Sequence, residues 1–335
     1  DNLFYFYEFI SGIKNRLTSR QRKLIIHLHE FNLFLKTNYS YIKIDASTIE
    51  VVCEQLFSYQ NFFNWLLVQL RPRHVFVDIF YHPKAMGLIL ASRKLGIKTI
   101  DIQHGVQGSY HNAYSNWNNP PQKGVDIFPD IFWVWDNFSF NAINKWAMNL
   151  ETNHPIIGGN IFLSMAKAKN MGLNNNNKFY ESVKAKKIVL FTMSINSDNL
   201  NLIFTDTIIK AVNQSLGKTF WIFRLHPQHI DSQYSWLKEQ LKHIHPSDYE
   251  IQKPFQKNLY QVLKETDIHI TFESSVTIEA LSFGIKTIVI NMDGYDYYKY
   301  YIEKGYVYFS QDSDEILALI EKSFRNNAAF GDAPV

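Results

Sequence analysis

The chain has 335 residues, of which 46% are hydrophobic and 16% aromatic, and its net charge is +3 from 34 Lys and Arg against 31 Asp and Glu. This composition excludes a solvated, disordered chain, and so small a net charge gives no reason to expect nucleic acid as a partner. The single cysteine, Cys53, excludes an intrachain disulfide framework and a cysteine-based zinc cluster. At roughly 100–200 residues per domain, the length predicts two domains.

No stretch of the sequence reaches the roughly 18 apolar residues that a membrane-spanning helix needs. No export signal is visible either, so the predicted location is the cytoplasm. Near the start, aromatic residues are interleaved with five basic ones, which allows peripheral contact with the inner face of the cytoplasmic membrane. A packed helix with a solvated basic end is the alternative. The five basic residues are Lys14, Arg16, Arg20, Arg22 and Lys23.

Residues 1–70 are predicted to be mostly helical. Apolar residues recur at helical spacing from Leu24 to Leu35, and a further helix over 48–70 ends before Pro72, because the residue preceding a proline avoids the helical region. The N-terminal part of the protein is therefore expected to be rich in helices.

From residue 74 short strands and helices alternate. A β-branched and aromatic run over 74–80 is followed by a helix over 83–95 and a second run over 98–103. Strand, helix and strand form a βαβ unit, whose handedness makes the two strands parallel neighbours. A polar loop over 112–130 separates this unit from a third predicted strand over 131–135.

The second half has the same alternation, which is typical of a doubly wound α/β sheet. A Pro- and Gly-bounded patch over 154–160 and the Asn-rich run 174–177 mark a joint within 151–185. We therefore predict an N-terminal domain over 1–155 and a C-terminal domain over 156–335. The predicted strands of the second half are 187–193, 219–225, 268–272 and 287–291, and the predicted helices are 199–216, 232–243, 259–265, 276–283 and 314–324.

Two serines follow a C-terminal strand. In open parallel sheets ligands bind beyond the carboxyl ends of the strands, so Ser274 and Ser275 can offer hydroxyl and helix N–H groups to a phosphate. Glu279, one turn into the helix, can reach a sugar hydroxyl of the same ligand. The alternative is a serine that only caps the helix, with a solvated glutamate behind it.

Arg224, His226 and Pro227 follow another strand of the same half. The arginine can offer a bidentate fork to a phosphate and the histidine a single donor. A strand-end histidine bonded to the backbone is the alternative.

The N-terminal half has a comparable polar group at the end of the 98–103 strand. His104 is the candidate general base, with Asp101 as its orienting carboxylate and Asp78 and Glu273 in reserve as bases. The alternative is a glycine-rich turn with a structurally bonded histidine. Three neighbours complete the group: Gln103, Gly105 and, as a weaker candidate, His111.

Several common motifs are absent from the sequence. There is no HExxH, no acidic pair after a strand, no phosphate-binding glycine loop and no GxGxxG. We therefore expect neither a metal site nor a bound cofactor, and ATPases and NAD-dependent enzymes are disfavoured.

Taken together, the three groups make region 74–325 resemble the bacterial GT-B glycosyltransferases that build capsule and lipopolysaccharide. The His-Pro and Ser-Ser pairs are similar to those of bacterial sialyltransferases, Kdo transferases and teichoic-acid glycerophosphotransferases, in which both pairs contact a cytidine nucleotide. Glu279 resembles the GT-B glutamate that holds the donor ribose. The acidic motif that carries the sialyltransferase base is not apparent, and no strand precedes residue 74. The segments that carry the resemblance are Gln103-His104-Gly105, Arg224-Leu225-His226-Pro227, Ser274-Ser275, and Glu279-Ala280-Leu281 with Gly284.

The resemblance implies two Rossmann-like domains facing a cleft. The C-terminal domain would hold a nucleotide-sugar donor, with CMP slightly favoured over UDP, TDP and GDP, and the N-terminal domain a glycan acceptor, which is lipid-linked in some systems. Two alternatives stay open: a non-hydrolysing nucleotide-sugar epimerase of the same fold, and a non-catalytic glycan- or nucleotide-binding domain of a larger protein. The implied nucleotide-binding residues are Arg224, His226, Pro227, Ser274, Ser275 and Glu279, the catalytic ones His104 and Asp101, and the acceptor-side ones Gln103, Gly105 and His111.

Overall fold

The structure is a computed structural model that describes residues 28–38, 46–108, 111–167, 180–183, 186–194, 203–227, 231–253 and 256–323. The predicted helices within 1–27, the five basic residues near the start and the Asn-rich run 174–177 lie outside the described residues. The chain divides into two compact units. The N-terminal unit comprises 1–104, 112–135 and 139–158, and the C-terminal unit 105–111, 136–138 and 159–335.

The N-terminal unit contains a four-stranded parallel sheet in the order β1-β2-β3-β4. The predicted βαβ unit is present, and α3 begins where Pro83 occupies its first position and the His82 ring accepts from the Lys84 N–H at 3.3 Å. The elements are α1 (Leu28–Asn38), α2 (Ala46–Leu70), β1 (His74–Val77), α3 (Pro83–Lys94), β2 (Lys98–Ile102), β3 (Ile131–Val134), α4 (Asn137–Ala147) and β4 (His154–Ile157).

Aromatic side chains form the core of this unit. Phe80, Tyr114, Phe128, Phe132 and Trp146 are buried and meet mostly edge to face, with ring centroids 5.0 Å apart for Phe80 and Phe128 and 5.2 Å apart for Phe80 and Tyr114. This geometry is the one aromatic pairs prefer. Since Tyr114 and Phe128 come from the loop between β2 and β3, the loop is anchored in the core.

The C-terminal unit contains a six-stranded parallel sheet in the order β10-β9-β8-β5-β6-β7. Strand order runs outward in both directions from β5 and β8, which is the doubly wound arrangement predicted for this half. The elements are α5 (Ile161–Lys167), a short 3₁₀ turn (Glu181–Val183), β5 (Lys187–Thr192), α6 (Asp206–Gln214), β6 (Thr219–Arg224), α7 (Asp231–Gln240), β7 (Tyr249–Gln252), α8 (Leu259–Glu265), β8 (Ile268–Thr271), α9 (Val276–Ser282), β9 (Thr287–Val289), α10 (Met292–Glu303), β10 (Val307–Phe309) and α11 (Ser313–Lys322).

A fully buried histidine joins three strands of this sheet. One nitrogen of His269 on β8 lies 2.7 Å from Thr192 Oγ1 on β5, and the other lies 3.0 Å from Thr287 Oγ1 on β9. Burial lowers the pKa of His269 to about 3, so the ring is neutral. Both nitrogens are satisfied without a charge, and the residue is part of the core.

Five of the α-helices and strands in the described residues were not predicted: α4, β4, β7, α10 and β10. Several predicted elements are shorter in the structure; the strand expected over 74–80 ends at Val77, and of the helix expected over 199–216 the structure describes Asp206–Gln214. Among the helices described, none combines the length and the apolar character needed to cross a membrane.

Candidate functional site

The place where strand order reverses marks a candidate site in the C-terminal sheet. Connections on either side of such a reversal leave in opposite directions, which opens a crevice outside the carboxyl ends of the strands. β5 ends at Thr192 and β8 at Thr271, in register with each other. The residues after β8 are Phe272-Glu273-Ser274-Ser275. The predicted serine pair therefore lies at the reversal.

The turn from β8 to α9 is fixed by hydrogen bonds, and its two serines differ. The Ser274 N–H donates to Thr271 Oγ1 at 3.1 Å and the Glu273 N–H to Ser194 Oγ at 3.2 Å. Ser274 Oγ accepts from the Val276 N–H at 3.3 Å, whereas the Ser275 side chain makes no capping bond. The Ser274 side chain thus caps α9, and the Ser275 hydroxyl is not used for capping.

Helix α10 packs against this turn. The Tyr298 hydroxyl, on a fully buried side chain, donates to the Ser274 carbonyl oxygen at 2.6 Å. The helix can approach so closely because it carries Gly294, where a β-carbon would lie only 2.1 Å from the Phe272 carbonyl oxygen. Neither residue was singled out in the sequence, because α10 was not predicted.

Glu279 is held by neighbours from other elements. Its Oε1 accepts from the Tyr260 hydroxyl at 3.1 Å, and Asn160 in turn bonds to Tyr260. Burial raises the pKa of Glu279 to about 7, while the Tyr260 bond and the charge of Arg224 lower it in part. Glu279 is therefore not a solvated first-turn glutamate, which was the alternative considered above.

Arg224 is also fixed by hydrogen bonds. Its Nη1 donates to Gln252 Oε1 at 2.8 Å and its Nη2 to the Lys257 carbonyl oxygen at 3.0 Å. Burial lowers the pKa of Arg224, and the nearby Tyr180, Glu279 and Glu250 oppose this effect. Two of the guanidinium donors are thus used within the protein, and the cation remains close to Glu279.

His226 and Pro227 follow β6, the strand next to β5. His226 is half-buried and Pro227 is exposed. Both lie at the same carboxyl edge of the sheet as the serine pair, one strand away from the reversal. Their contact with a nucleotide stays a prediction.

In the N-terminal unit, Asp101 is a buried carboxyl at the end of β2. Burial raises its pKa to about 7; the Tyr114 hydroxyl and the Phe80 N–H lower it in part, and the charge of Asp78 raises it further. Both of its oxygens are buried, and no group in the described part of the chain completes a well-aligned hydrogen bond to them. A buried polar group of this kind is a candidate for a functional role.

His104 interacts with Asp78. Although the residue as a whole is exposed, its ring lies against enough protein for desolvation to lower its pKa, and the charge and backbone carbonyl of Asp78 oppose that effect. Asp78, predicted only as a reserve base, is the carboxylate that acts on the ring. The orienting role assigned to Asp101 and the catalytic role of His104 stay predictions.

Two further predicted residues, Gln103 and His111, form hydrogen bonds with neighbouring protein groups. The Gln103 amide is buried, accepting from the Trp135 N–H at 2.7 Å and donating to Ser139 Oγ at 3.0 Å. His111 donates its N–H to the Gly108 carbonyl oxygen at 3.0 Å. Their contact with an acceptor stays a prediction.

Gly105 and Gly108 belong to the segment that clusters with the C-terminal unit. Within that unit, a β-carbon on Gly105 would lie 4.0 Å from Ser275 Cβ, and one on Gly108 only 2.3 Å from Phe138 Cε1. A β-carbon at Gly108 would therefore require the Phe138 ring to move, and contact of Gly105 with an acceptor stays a prediction.

Over the described residues, no group of three or more His, Cys, Asp or Glu side chains could hold a metal ion.

Four supporting residues were missed by sequence reasoning: Asn160, Gln252, Tyr260 and Tyr298. Gln252, Tyr260 and Tyr298 each bond to a predicted residue from another part of the chain, and Asn160 bonds to Tyr260. The sequence gives little indication of these roles: Tyr260 is a tyrosine on a short helix, and Gln252 ends a strand that was not predicted.

Comparison with known proteins identifies the fold. No family model and no curated protein matches the chain. Solved structures do match. A UDP-GlcNAc 2-epimerase of Neisseria meningitidis, bound to UDP-GlcNAc, is 15% identical with a TM-score of 0.56 over 81% of this chain and 73% of its own. A UDP-GlcNAc 2-epimerase of Methanocaldococcus jannaschii is 17% identical with a TM-score of 0.55 over 84% and 79%.

A glycosyltransferase of Rickettsia africae is also similar, at 12% identity and a TM-score of 0.50 over 79% of this chain and 70% of its own. Identities this low show the fold alone. The predicted fold class is confirmed: the protein has the α/β fold of GT-B-like nucleotide-sugar epimerases and glycosyltransferases, with two parallel sheets and a helix-rich N-terminal part.

Proposed function

We propose that this protein is a nucleotide-sugar enzyme whose C-terminal unit binds the nucleotide. The observation that carries the proposal is the set of polar side chains at and beside the strand-order reversal: the Ser275 hydroxyl, which does not cap its helix, and the half-buried Glu279, whose pKa burial raises and the nearby charge of Arg224 lowers in part. Ser275 and His226 would donate to the phosphates. Glu279 would accept from a ribose hydroxyl, and Arg224 would keep it oriented.

Epimerisation is the first candidate activity. It is supported by the two epimerases of the same fold, one of them solved with UDP-GlcNAc, whose TM-scores exceed that of the glycosyltransferase. Inversion at a carbon needs one group to remove a proton and another to return one from the opposite face. Asp101, with a pKa of about 7, and His104, with a lowered pKa, can exchange protons at neutral pH.

Glycosyl transfer is the second candidate. It is supported by the Gln-His-Gly, His-Pro and Ser-Ser segments, which resemble those of the surface-glycan transferases. In this reaction one base, His104, would take the proton of an acceptor hydroxyl as the nucleotide departs, and the serine and histidine donors would stabilise the leaving phosphate. Contact with a lipid-linked acceptor at the membrane belongs to this candidate only.

The first experiment is a thermal-shift screen with CMP, CDP, UDP, GDP and TDP, and with UDP-GlcNAc. A ligand at about 100 times its dissociation constant should add about 2.7 kcal/mol to the free energy of unfolding. The shift should shrink for Ser275→Ala and persist for Ser232→Ala, an exposed serine on α7 that serves as the control. Absence of a shift with every ligand at millimolar concentration would contradict the proposal.

The second experiment separates the activities. UDP-GlcNAc is incubated with the protein in D₂O without an acceptor and followed by proton NMR. An epimerase gives a new nucleotide sugar that carries deuterium at the inverted carbon. A transferase releases free nucleotide only when a glycan acceptor is added. Binding without either reaction would leave the non-catalytic binding domain as the function.

A further inference from the structure

A groove in the N-terminal unit lies apart from the strand ends described above. It has a volume of about 640 Å³ and is lined by the loop over 116–122 and by the end of α4 with the residues after it, 145–150. A helix that connects parallel strands runs antiparallel to them, so α4 leads away from the carboxyl edge of the sheet. Its eleven residues span about 16 Å. The groove therefore lies toward the opposite edge from Asp101 and His104.

The loop that forms one wall of this groove is long but firmly held. The described residues 103–108 and 111–130 contain no helix or strand, and irregular loops of such length are usually either functional or disordered. Tyr114 and Phe128 anchor the loop in the aromatic core. The Asn153 side chain accepts from the Val125 N–H at 2.8 Å and donates to the Pro129 carbonyl oxygen at 2.7 Å. The wall is therefore ordered before any ligand arrives.

An exposed tryptophan stands in this wall. Trp117 is 41% exposed, and its indole N–H donates to the Ala113 carbonyl oxygen at 3.1 Å. The edge contact with Phe128, with centroids 4.9 Å apart, fixes the plane of the ring. A large apolar ring is thus held in place and remains partly open to solvent.

The polar side chains of the groove are almost all amides: Asn116, Asn118, Asn119, Gln122 and Asn149. Each amide can donate and accept. Asn116 and Asn119 adopt the left-handed conformation, with φ of 62° and 52°. Asparagine adopts this conformation more readily than most residues other than glycine, so these two residues suit the turns of the loop.

We propose that this groove is an oligosaccharide-binding site. Sugar hydroxyls donate and accept at once, as amides do, and the C–H face of a sugar ring packs on an aromatic plane. The volume is in the range of ligand sites that enclose several rings. Among the residues described, Lys145 is the one charged residue lining the groove, which is too little positive charge for a nucleotide diphosphate.

The site goes beyond the proposed function, since it is separate from the nucleotide-binding residues. An enzyme that extends a glycan benefits from a second hold on its acceptor, whereas an epimerase acting on a free nucleotide sugar has no use for one. Glycan binding here would therefore add weight to the second candidate activity.

The test is titration of the full chain with three probes: chitotriose, maltotriose and α2,8-linked trisialic acid. They separate N-acetylated, neutral and anionic glycans. Saturation-transfer NMR and calorimetry should detect saturable binding of at least one probe with a dissociation constant below about 10 mM. Trp117→Ala and Asn149→Ala should each weaken that binding by about fivefold or more, the effect of one lost hydrogen bond or ring contact.

The matched control is Trp65→Ala, which removes a comparably exposed tryptophan, 57% accessible, from α2 outside the groove. It should bind the glycan as the wild type does, and the nucleotide-induced thermal shift should be the same in all three variants. Because Asn149 is exposed, its variant keeps the test valid even if Trp117→Ala fails to fold. The inference is overturned if no probe binds, if both groove variants bind normally, or if UDP displaces the glycan.

Discussion

The two parallel sheets of this protein differ at their carboxyl edges. In the six-stranded sheet the strand order reverses between β5 and β8, and the buried carboxyl beyond it, Glu279, accepts from Tyr260 and lies close to Arg224. In the four-stranded sheet the strands follow chain order, and the buried carboxyl, Asp101, has the like charge of Asp78 as its neighbour. Burial raises the pKa of both carboxyls to about 7. At the first edge the nearby Arg224 cation opposes that rise, which suits binding, whereas at the second the like charge of Asp78 adds to it, which suits proton transfer.

The largest expected effect tests the charge state of Asp101. Its folded-state pKa of about 7 is above the unfolded value of 3.8, so the folded protein binds the extra proton between these pH values. The contribution of this carboxyl to the free energy of unfolding is fully present below pH 3.8. It falls as the pH rises and is lost once the pH has passed 7, by at most about 4 kcal/mol. Urea unfolding of Asp101→Asn from pH 5 to 8 should show a smaller loss than the wild type, and the loss that remains is expected from Glu279, whose pKa is also raised to about 7. The raised pKa of Asp101 would be contradicted if the free energy of unfolding depended on pH equally in Asp101→Asn and in the exposed-site control Asp126→Asn.

The second expectation concerns proton transfer at the same edge. His104→Ala should lower turnover by about 100-fold or more, because a positioned base contributes at least that much, while the nucleotide-induced thermal shift survives. His74→Ala, an exposed histidine on β1, should change neither quantity. Near-normal turnover of His104→Ala would make this histidine structural and leave Asp78 as the better candidate base.

The third expectation concerns phosphate binding at the reversal. Removing one hydrogen bond to a charged phosphate costs roughly 1.5–3 kcal/mol, so Ser275→Ala and His226→Ala should each weaken nucleotide binding by about tenfold or more. Ser275→Ala should leave the melting temperature unchanged, whereas Ser274→Ala should lower it through the lost cap. Calorimetry with UDP and a thermal melt on the same samples distinguish these cases. Unchanged affinity in both Ser275→Ala and His226→Ala would remove the phosphate site.

The smallest expected effect concerns the support beneath that site. Tyr298→Phe loses the bond to the Ser274 carbonyl oxygen and should weaken nucleotide binding by about fivefold, equivalent to about 1 kcal/mol. Tyr295→Phe is the matched control on the same helix, since its ring packs on Phe309. Equal affinity for the two variants would show that the turn keeps its shape without Tyr298.

The elements that sequence could predict are those with a local pattern. Strands β5 and β6 each contain four consecutive apolar residues, β2 and β8 are rich in isoleucine and threonine, and α3 has a proline at its start and a glycine after its end. By contrast, α10 is a run of tyrosines around Gly294, and β7 and β10 are short, so nothing local distinguishes them from loops. Packing against the rest of the unit determines these elements.

The same limit applies to the candidate site. Ser274, Ser275, Glu279 and His226 were predicted because they follow strands. Whether a serine caps its helix, or a glutamate is buried, depends on groups such as Tyr260 that are distant in sequence. The orienting role of Asp101 rests on its proximity to His104 along the chain and stays a prediction, because sequence does not report which way a strand-end side chain turns.

The buried histidine between β5, β8 and β9 makes the C-terminal sheet directly observable in solution. The neutral ring of His269 carries one N–H, which is bonded to a threonine and shielded from water. Its proton should therefore give a downfield NMR resonance that exchanges only when the sheet opens. Following that single signal during denaturation or ligand titration would report on the opening of this unit alone, without a label and without disturbing any residue of the candidate site.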